Sequence, residues 1–482
     1  MMKKQSVLFR VFLAVAAILA MACNDDVTYS RSWQDRLSFS TDTVAFDTVF
    51  TGMQSATVPV KVYNRNSNAL KFDVRLAGGA SSLFYLNTDG QTGYSASGLE
   101  IRDNDSLYCF VSVRFNAADA DAPVLAEDSI VFTLQSGVVQ SIKLLAYGQD
   151  AIILKGTVFS SDTVLDARRP YLIYDSLSIA RGAFLTLAPG TELCFHDGAV
   201  LRVAGRISAR GTVTEPIVMH GDRRDNMLPG VSFDLASGRW GGVLLDSCSY
   251  DNVFEYCHIY GGKWGIKADT ASLAGQKASV SNCVIHNVSG NGLELDNCRM
   301  TIDNSQITNA GNYCVSLLGG DNVFSFCTIA NYYPWATHKE ALYLTNLCDS
   351  NVFPIQNAGF QYCIVTGASD DEISGSEVDS LEGYTMDRLA NYWIRNSFVM
   401  SPDTLNPRMK DNVYENKESE GYSFRNFRHV AKGDFRYDFR LDSVSMARAV
   451  VTDAAAIAKY PYDLLGNARN GEKADAGCYQ SE

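Results

Sequence analysis

Between Asp251 and Val365 the chain repeats one six-residue pattern, apolar at the first position, small at the fourth and β-branched at the sixth. It occurs as FEYCHI (254–259), VSNCVI (280–285), IDNSQI (302–307), FSFCTI (324–329) and FQYCIV (360–365). The fourth position is Cys257, Cys283, Ser305, Cys327 and Cys363, at steps of 26, 22, 22 and 36 residues. Three units share a lead-in: DNVF at Asp251, DNVF at Asp321 and SNVF at Ser350. Further short apolar runs lie between them, GIKA at Gly265, GLEL at Gly292, CVSL at Cys314 and ALYL at Ala341. Short strands recurring near every 22 residues and broken by Gly, Asn and Asp predict a solenoid.

Two to three short strands per period is the content of one coil of a parallel β-helix. Each strand then pairs with its equivalent one coil away, about 4.8 Å off, so identical positions stack into columns. Ile259, Ile285, Ile307, Ile329 and Val365 are expected to form an aliphatic interior column. Cys257, Cys283, Ser305, Cys327 and Cys363 are expected to form a column of small side chains, with Cys acting as a compact hydrophobe. Stacked Cβ vectors run nearly parallel, which is poor disulfide geometry. Positions five apart cannot share a face of a straight strand, so a bend or bulge is predicted between each Phe254-type residue and its cysteine.

Apolar doublets continue upstream at Leu177/Ile179, Leu185/Leu187, Leu193/Phe195, Leu201/Val203 and Ile217/Met219, separated by Gly182, Pro189-Gly190, Gly198, Gly205 and Gly211. With LTLAPGTEL, GRISARGT and GRWGGV, this stretch closely resembles right-handed parallel β-helix repeat proteins, and the resemblance implies that fold across roughly 152–399. Near the carboxyl end, the order Asp442, Ser445, Ala447, Asp463, Gly466, Arg469, Asp475, Gly477 and Tyr479 resembles the terminal segment of exported β-helix proteins. Met446 and Cys478 depart from that pattern, which implies the last coils and a C-terminal cap over 401–482.

A different module comes first. VPVKV at Val58, FDVRL at Phe72, CFVSVRF at Cys109, SIVFTL at Ser129 and SIKLLAYG at Ser141 alternate apolar and polar residues at sandwich-like intervals. Residues 37–150 are expected to form one Ig-like β-sandwich. There is no Cys…Trp…Cys pattern, and the stretch resembles the Ig-like modules that precede β-helices in exported bacterial proteins, where it would serve as a spacer or cap for the first coil. The fold class expected is therefore all-β: an N-terminal Ig-like sandwich, a right-handed parallel β-helix over 151–400 and a C-terminal cap.

The amino terminus carries Lys3, Lys4 and Arg10 ahead of an apolar run at 11–22. Twelve helical residues rise about 18 Å, too little for a bilayer core of roughly 30 Å, so residues 1–22 read as a signal peptide. The run ends Ala20-Met21-Ala22-Cys23 and turns polar at Asn24-Asp25-Asp26. This resembles a bacterial lipoprotein lipobox, with Ala20 where Leu is usual, and implies cleavage before Cys23 and lipidation of its thiol. Multiple acyl chains on one residue give stable anchoring. Residues 23–36 would form the lipidated linker, and the acidic run resembles surface-export signals. The expected location is the outer membrane, on the cell surface, with the periplasmic face and an ordinary secretory signal as alternatives.

Composition fits an exported β-protein. The 482 residues carry a net charge of −13, 46% hydrophobic and 11% aromatic residues, 20% charged residues and 37 Gly. That apolar fraction excludes a disordered chain, and the lack of a Lys/Arg cluster excludes a phosphate-tracking nucleic-acid binder. Twelve cysteines without CxxC spacing predict no metal cluster.

Two chemistries occur on β-helices that could place a catalytic site here. Lyases gather carboxylates around Ca²⁺ and abstract a proton beside a uronate carboxyl, whereas glycoside hydrolases pair two carboxyl groups. Asp370, Asp371 and Glu372, after the fifth repeat, are the candidate carboxylates, against a solvated acidic turn. Asp222 and Arg223 could bind a uronate or pair locally. In NYYPWATHKE the candidates are Tyr332, Tyr333, Trp335, His338, Lys339 and Glu340: aromatic faces to stack on sugars with polar groups beside them, or a loop packing its own aromatics. His196, His220, His258, His286 and His429 lie apart and read as structural or surface residues. HExxH, GxSxG and Walker motifs are absent. The expectation is a surface-anchored, noncatalytic protein that binds glycan or scaffolds, against a lyase or hydrolase, with Ca²⁺ only in the lyase case; adhesion to a partner protein and envelope assembly are further alternatives.

Overall fold

The computed structural model describes residues 27–228, 231–378, 389–415, 426–431, 433, 435–469 and 471–481. Cys23 and the leader lie outside them. The chain divides into two compact units at Asp150/Ala151.

In the first unit, alternation at period two folds the chain into two five-stranded sheets around one core. One sheet orders Leu37–Phe39, Val58–Asn64, Ser106–Val113, Phe84–Thr88 and Gln91–Gly93, all antiparallel. The other orders Thr43–Phe50, Val139–Gln149, Val124–Leu134, Leu70–Leu76 and Ser95–Ile101. Its first pair is parallel and the remainder antiparallel. Inward residues such as Val62, Cys109, Phe72 and Phe132 are buried between the sheets. The outer face of the first sheet leaves Tyr108 and Phe110 exposed and stacked at 5.8 Å.

The second unit is a solenoid. An eighteen-stranded and a ten-stranded sheet are parallel throughout, and each typical coil contributes three strands, for example Ala278–Ser281, Val284–Val288 and Leu293–Asp296. The aliphatic column is in strict register, with Ile259 on Ile285, Ile307, Ile329 and Val365 in turn. All five are fully buried, and each contributes roughly 1.5–3 kcal/mol from burial. The Phe254-type positions stack likewise, and Phe324 and Phe360 lie ring on ring at 4.6 Å.

The predicted bend is a single residue in the left-handed region. Tyr256, Asn282, Asn304, Phe326, Tyr362 and Asn396 have φ between 48° and 59°, each immediately before the Cys or Ser of its coil. Asn tolerates this conformation, whereas Tyr and Phe pay for it with Cβ crowding. Packing offsets that cost: Phe326 stacks on Tyr362 at 5.0 Å, and the Arg469 guanidinium sits 4.3 Å from the Phe326 ring. Asn396 belongs to a sixth unit, IRNSFV (394–399), whose Ser397 follows Cys363 by 34 residues.

The small-residue column is buried as expected, but it is more than filler. The Cys257 N–H donates to Cys283 Sγ at 3.4 Å, and the Cys283 N–H donates to Ser305 Oγ at 3.0 Å. Each thiol or hydroxyl in turn donates to the carbonyl two residues earlier, as Ser305 Oγ does to Asp303 O at 2.7 Å. The eleven described cysteines are all free.

The described residues after the last coil lie along the flank of the solenoid rather than over its end. Tyr362 donates to Asp453, Tyr460 to Asp303, Arg469 to Asn304 and Tyr479 to Gln306, at 2.6–2.8 Å. The hairpin Phe427–Ala431/Arg436–Leu441 packs Phe427 and Phe439 against Tyr332 and Phe398. These described contacts act as a lateral brace over the aromatic corner residues.

Candidate functional site

The third solenoid face runs through Ile266–Ala268, Leu293–Asp296, Val315–Leu318, Leu342–Thr345 and Ile373–Ser376. Its outward row is Lys267, Glu294, Ser316, Tyr343 and Ser374, in register. Tyr343 stacks on Tyr313 at 4.6 Å, and Ser374 Oγ donates to Glu340 at 3.0 Å. Ile373–Ser376 pairs with Leu342–Thr345 on one side, and beside it opens a cleft of about 250 Å³ lined by Asp371, Ser374, Glu377, Tyr392, Ser401 and Asp403, among others.

The cleft is acidic. Burial pushes the Asp371 carboxyl above its ordinary range, the charges of Asp403 and Glu340 add to this, and the Ile373 N–H and Ser401 hydroxyl oppose it. Arg408 binds both carboxylate oxygens of Glu377 at 3.0 Å and lies 4.4 Å from the Tyr392 ring centroid. Such a cleft offers acceptors and hydroxyls to a polyhydroxylated ligand, with Tyr392 as a flat wall.

Of the sequence-predicted residues, Asp371 and Glu340 fall in or beside this cleft, and Asp370 is exposed near it. Glu372 is fully buried and structural. Its carboxylate accepts the Ala341 N–H at 2.7 Å and the Ser369 N–H at 2.6 Å. In preceding coils this corner is filled by Asn309 and Asn331, whose carboxamide oxygens accept the Tyr332 and Ala310 N–H groups. The equivalent of Asn331 here is Gly367, and a Cβ on Gly367 would lie 2.3 Å from Glu372 Oε1. Glu372 therefore stands in for a missing asparagine, which rules out a solvent-facing acid at this position.

The aromatic loop is largely committed to packing. Tyr332 and Tyr333 are buried, and Tyr333 Oη lies 2.6 Å from Ser237 Oγ. Trp335 donates to the Leu235 carbonyl at 2.9 Å and stacks on Phe435 at 4.5 Å. His338 Nδ1 donates to the Lys339 carbonyl at 2.8 Å, and Lys339 is exposed. Loop composition was visible in sequence; the partners that consume its ring faces come from distant segments.

Asp222 and Arg223 are elsewhere. Asp222 follows Ile217–Gly221, five strand steps from Ile364–Gly367 on the same face, or about 24 Å at 4.8 Å per step. Asp222 pairs with His196 at 2.7 Å, and Arg223 makes a two-point contact with Asp225 at 2.6 and 2.9 Å over the Phe233 ring. The local-pairing alternative describes Arg223.

A third cluster joins residues that lie 26 to 28 positions apart in the sequence. Glu192 and Cys194 share the outward side of Glu192–Phe195, and His220 lies in register with Cys194 one coil on. His220 Nε2 is 3.0 Å from Glu192 Oε1 and 3.6 Å from Cys194 Sγ, and Arg224 contacts both Glu192 and Cys194. Burial pushes the Glu192 carboxyl up, but the His220 hydrogen bond and Arg224 charge outweigh it and hold the carboxyl below its ordinary range. Among the described residues these three are the sole group of His, Cys, Asp or Glu with ligand atoms mutually within 4.8 Å. The signal in sequence was an i, i+2 pair followed by His one 26-residue coil later.

The stacked parallel sheets define the second unit as a parallel β-helix. In agreement, residues 271–430, about a third of the chain, match the family model described as "Right handed beta helix region". No curated protein matches the chain. Among solved structures, the ASH/PapD-like domain of human CEP192 is 7% identical, over 26% of this chain and 93% of that one, with a TM-score of 0.18. A family 123 glycoside hydrolase from Clostridium perfringens is 8% identical over 25% and 30%, TM-score 0.19. A protein of unknown function from Porphyromonas gingivalis W83 is 12% identical over 26% and 59%, TM-score 0.18. Similarities at that level carry no argument about function.

Proposed function

We propose that the chain is an exported lipoprotein, anchored through lipidated Cys23 in the outer membrane and facing the cell surface, whose β-helix binds a glycan without cleaving it. In this reading the N-terminal sandwich is an Ig-like spacer. The single observation that carries the glycan reading is the cleft beside Ile373–Ser376, where Tyr392 and the Ser374 and Ser401 hydroxyls line one space with Asp371 and Asp403. Carboxylates accept hydrogen bonds from sugar hydroxyls strongly. They also repel a uronate, so the ligand is a neutral or amino-sugar glycan. Asp371, Glu377 and Asp403 all line the space, but among the described residues no three carboxylates here hold oxygens mutually within 4.8 Å.

A second reading, a glycoside hydrolase, is favoured by one observation: Asp371, held protonated to higher pH, shares the cleft with Asp403. One experiment separates them. The mature protein is incubated with a panel of neutral, amino-sugar and uronic-acid polysaccharides, and both retention and new reducing ends are measured. Retention without cleavage supports binding; reducing ends support the hydrolase; unsaturated ends from a polyuronate would overturn both. Binding that survives changes in the cleft and is lost in Tyr108→Ala/Phe110→Ala would move the site to the sandwich.

A further inference from the structure

The Glu192, Cys194 and His220 cluster does not serve the glycan cleft, and its geometry is that of a coordination site. Leu193 and Phe195 point into the core, so Glu192 and Cys194 alternate to the outside of their strand, while His220 reaches them from the next coil. Normally such outward positions are wet. Here Cys194 is fully buried and His220 is 3% exposed, with Tyr260 tilted over the imidazole at 5.2 Å.

The arrangement is not a nucleophile–base–acid relay. In a relay the carboxylate holds the imidazole nitrogen opposite the nucleophile, whereas here Glu192 Oε1 and Cys194 Sγ both approach Nε2. Three different donor atoms instead converge on one point. A tetrahedral zinc with bonds of about 2.3 Å to sulfur, 2.05 Å to nitrogen and 2.1 Å to oxygen separates S from N by about 3.6 Å and N from O by about 3.4 Å. The observed separations are 3.6 and 3.0 Å. A thiolate, an imidazole and one carboxylate suit Zn²⁺; Ca²⁺ and Mg²⁺ require oxygen ligands.

Arg224 supplies the second clue. Its guanidinium is inserted against both Glu192 and Cys194, 3.8 Å from the sulfur, so the cluster attracts a cation. We infer that Glu192, Cys194 and His220 form a three-ligand Zn²⁺ site, with Arg224 as the competing cation and a fourth position left for water. On binding, the Cys194 S–H bond breaks and its proton leaves to solvent, the His220 proton that faces Glu192 at Nε2 is given up and the neutral imidazole keeps one proton at Nδ1, and bonds from Zn to S, Nε2 and the Glu192 oxygen form as Arg224 withdraws from both Glu192 and Cys194.

The test uses untagged mature protein with Cys248 and Cys348, the exposed thiols, changed to Ala. After chelation it is titrated with Co²⁺, which reports thiolate ligation as a charge-transfer absorption, and with Zn²⁺ in competition with a chromogenic indicator. One equivalent of Co²⁺ with that absorption is expected. Cys194→Ser should abolish the absorption and weaken Zn²⁺ at least about tenfold, and Arg224→Gln should tighten Zn²⁺ about tenfold by removing the rival charge. Absence of the absorption in both the parent and Arg224→Gln overturns the site, as does its persistence in Cys194→Ser. Because Arg224→Gln keeps all three ligands, a folding failure of the cysteine variant does not blunt the test.

Discussion

The Cys363 backbone N–H donates to Ser397 Oγ at 3.0 Å across a separation of 34 residues. The same bond joins Cys283 to Ser305, and with sulfur as acceptor it joins Cys257 to Cys283 and Cys327 to Cys363. Cys and Ser interchange in this column because each is small, donates back to its own turn and accepts from the preceding coil.

Ser305→Ala should therefore leave the buried Cys283 N–H without its acceptor and cost about 1–3 kcal/mol, read as a lower denaturant midpoint. Ser305→Cys restores the column and should stay within about 1 kcal/mol of the parent. Equal losses for both would show that volume alone matters.

Glu372→Ala should lower stability by about 2–3 kcal/mol, since two N–H acceptors vanish from a fully buried site. Glu372→Gln keeps one acceptor oxygen and should lose less. Neither should alter glycan retention once folded; a selective loss of binding in stable Glu372→Gln would return Glu372 to the ligand site.

At the cleft, Asp371→Asn and Tyr392→Ala should each weaken glycan retention about tenfold, the first with an unchanged thermal midpoint and the second with a lowered one, because the Tyr392 ring also packs against the core. Unchanged retention in both, measured on the glycan the parent prefers, would remove the cleft from the account.

Burial pushes the His286 imidazole down to about 4, beside Thr308 Oγ1 at 2.8 Å and under Tyr437 and Phe439. The folded form thus resists a proton that the unfolded chain takes up near pH 6.5. Stability should be full above that pH and fall toward pH 4, by up to about 2–3 kcal/mol. Replacing His286 with Phe should flatten that segment of the midpoint–pH curve; an unchanged slope would place the titration elsewhere.

Thiol reagents should modify Cys248 and Cys348 in the folded protein, while the nine buried described cysteines react only on unfolding. Burial pushes Cys109 up to about 11 and Cys298 up to about 12, so little thiolate exists to react.

The repeat made the solenoid legible because stacking imposes the same demand at Ile259 and Ile329, and that demand survives in the text. The Cys/Ser column was visible as a position, but its hydrogen bonds were not, because they require knowing that Tyr256 and Asn282 turn left-handed. The site was less legible. Asp371 and Glu340 could be flagged by type, yet Tyr343, Tyr392 and Asp403 join them only through register and a returning loop. Glu192, Cys194 and His220 look unrelated until one coil is laid upon the next. Tyr332 and Trp335 misled for the opposite reason, as their covering groups, Phe439 and Phe435, come about a hundred residues later.

The bond from Tyr479 to Gln306 spans 173 residues, and it closes a flank whose own coils are purely local. Successive windings can be added as the polypeptide arrives, but the strap across them waits for a segment made 173 residues later. A chain folding from its amino end would stay unlatched until that segment had followed. Removing residues 471–482 should therefore yield a product that still coils, yet is clipped by proteases along that one uncovered edge.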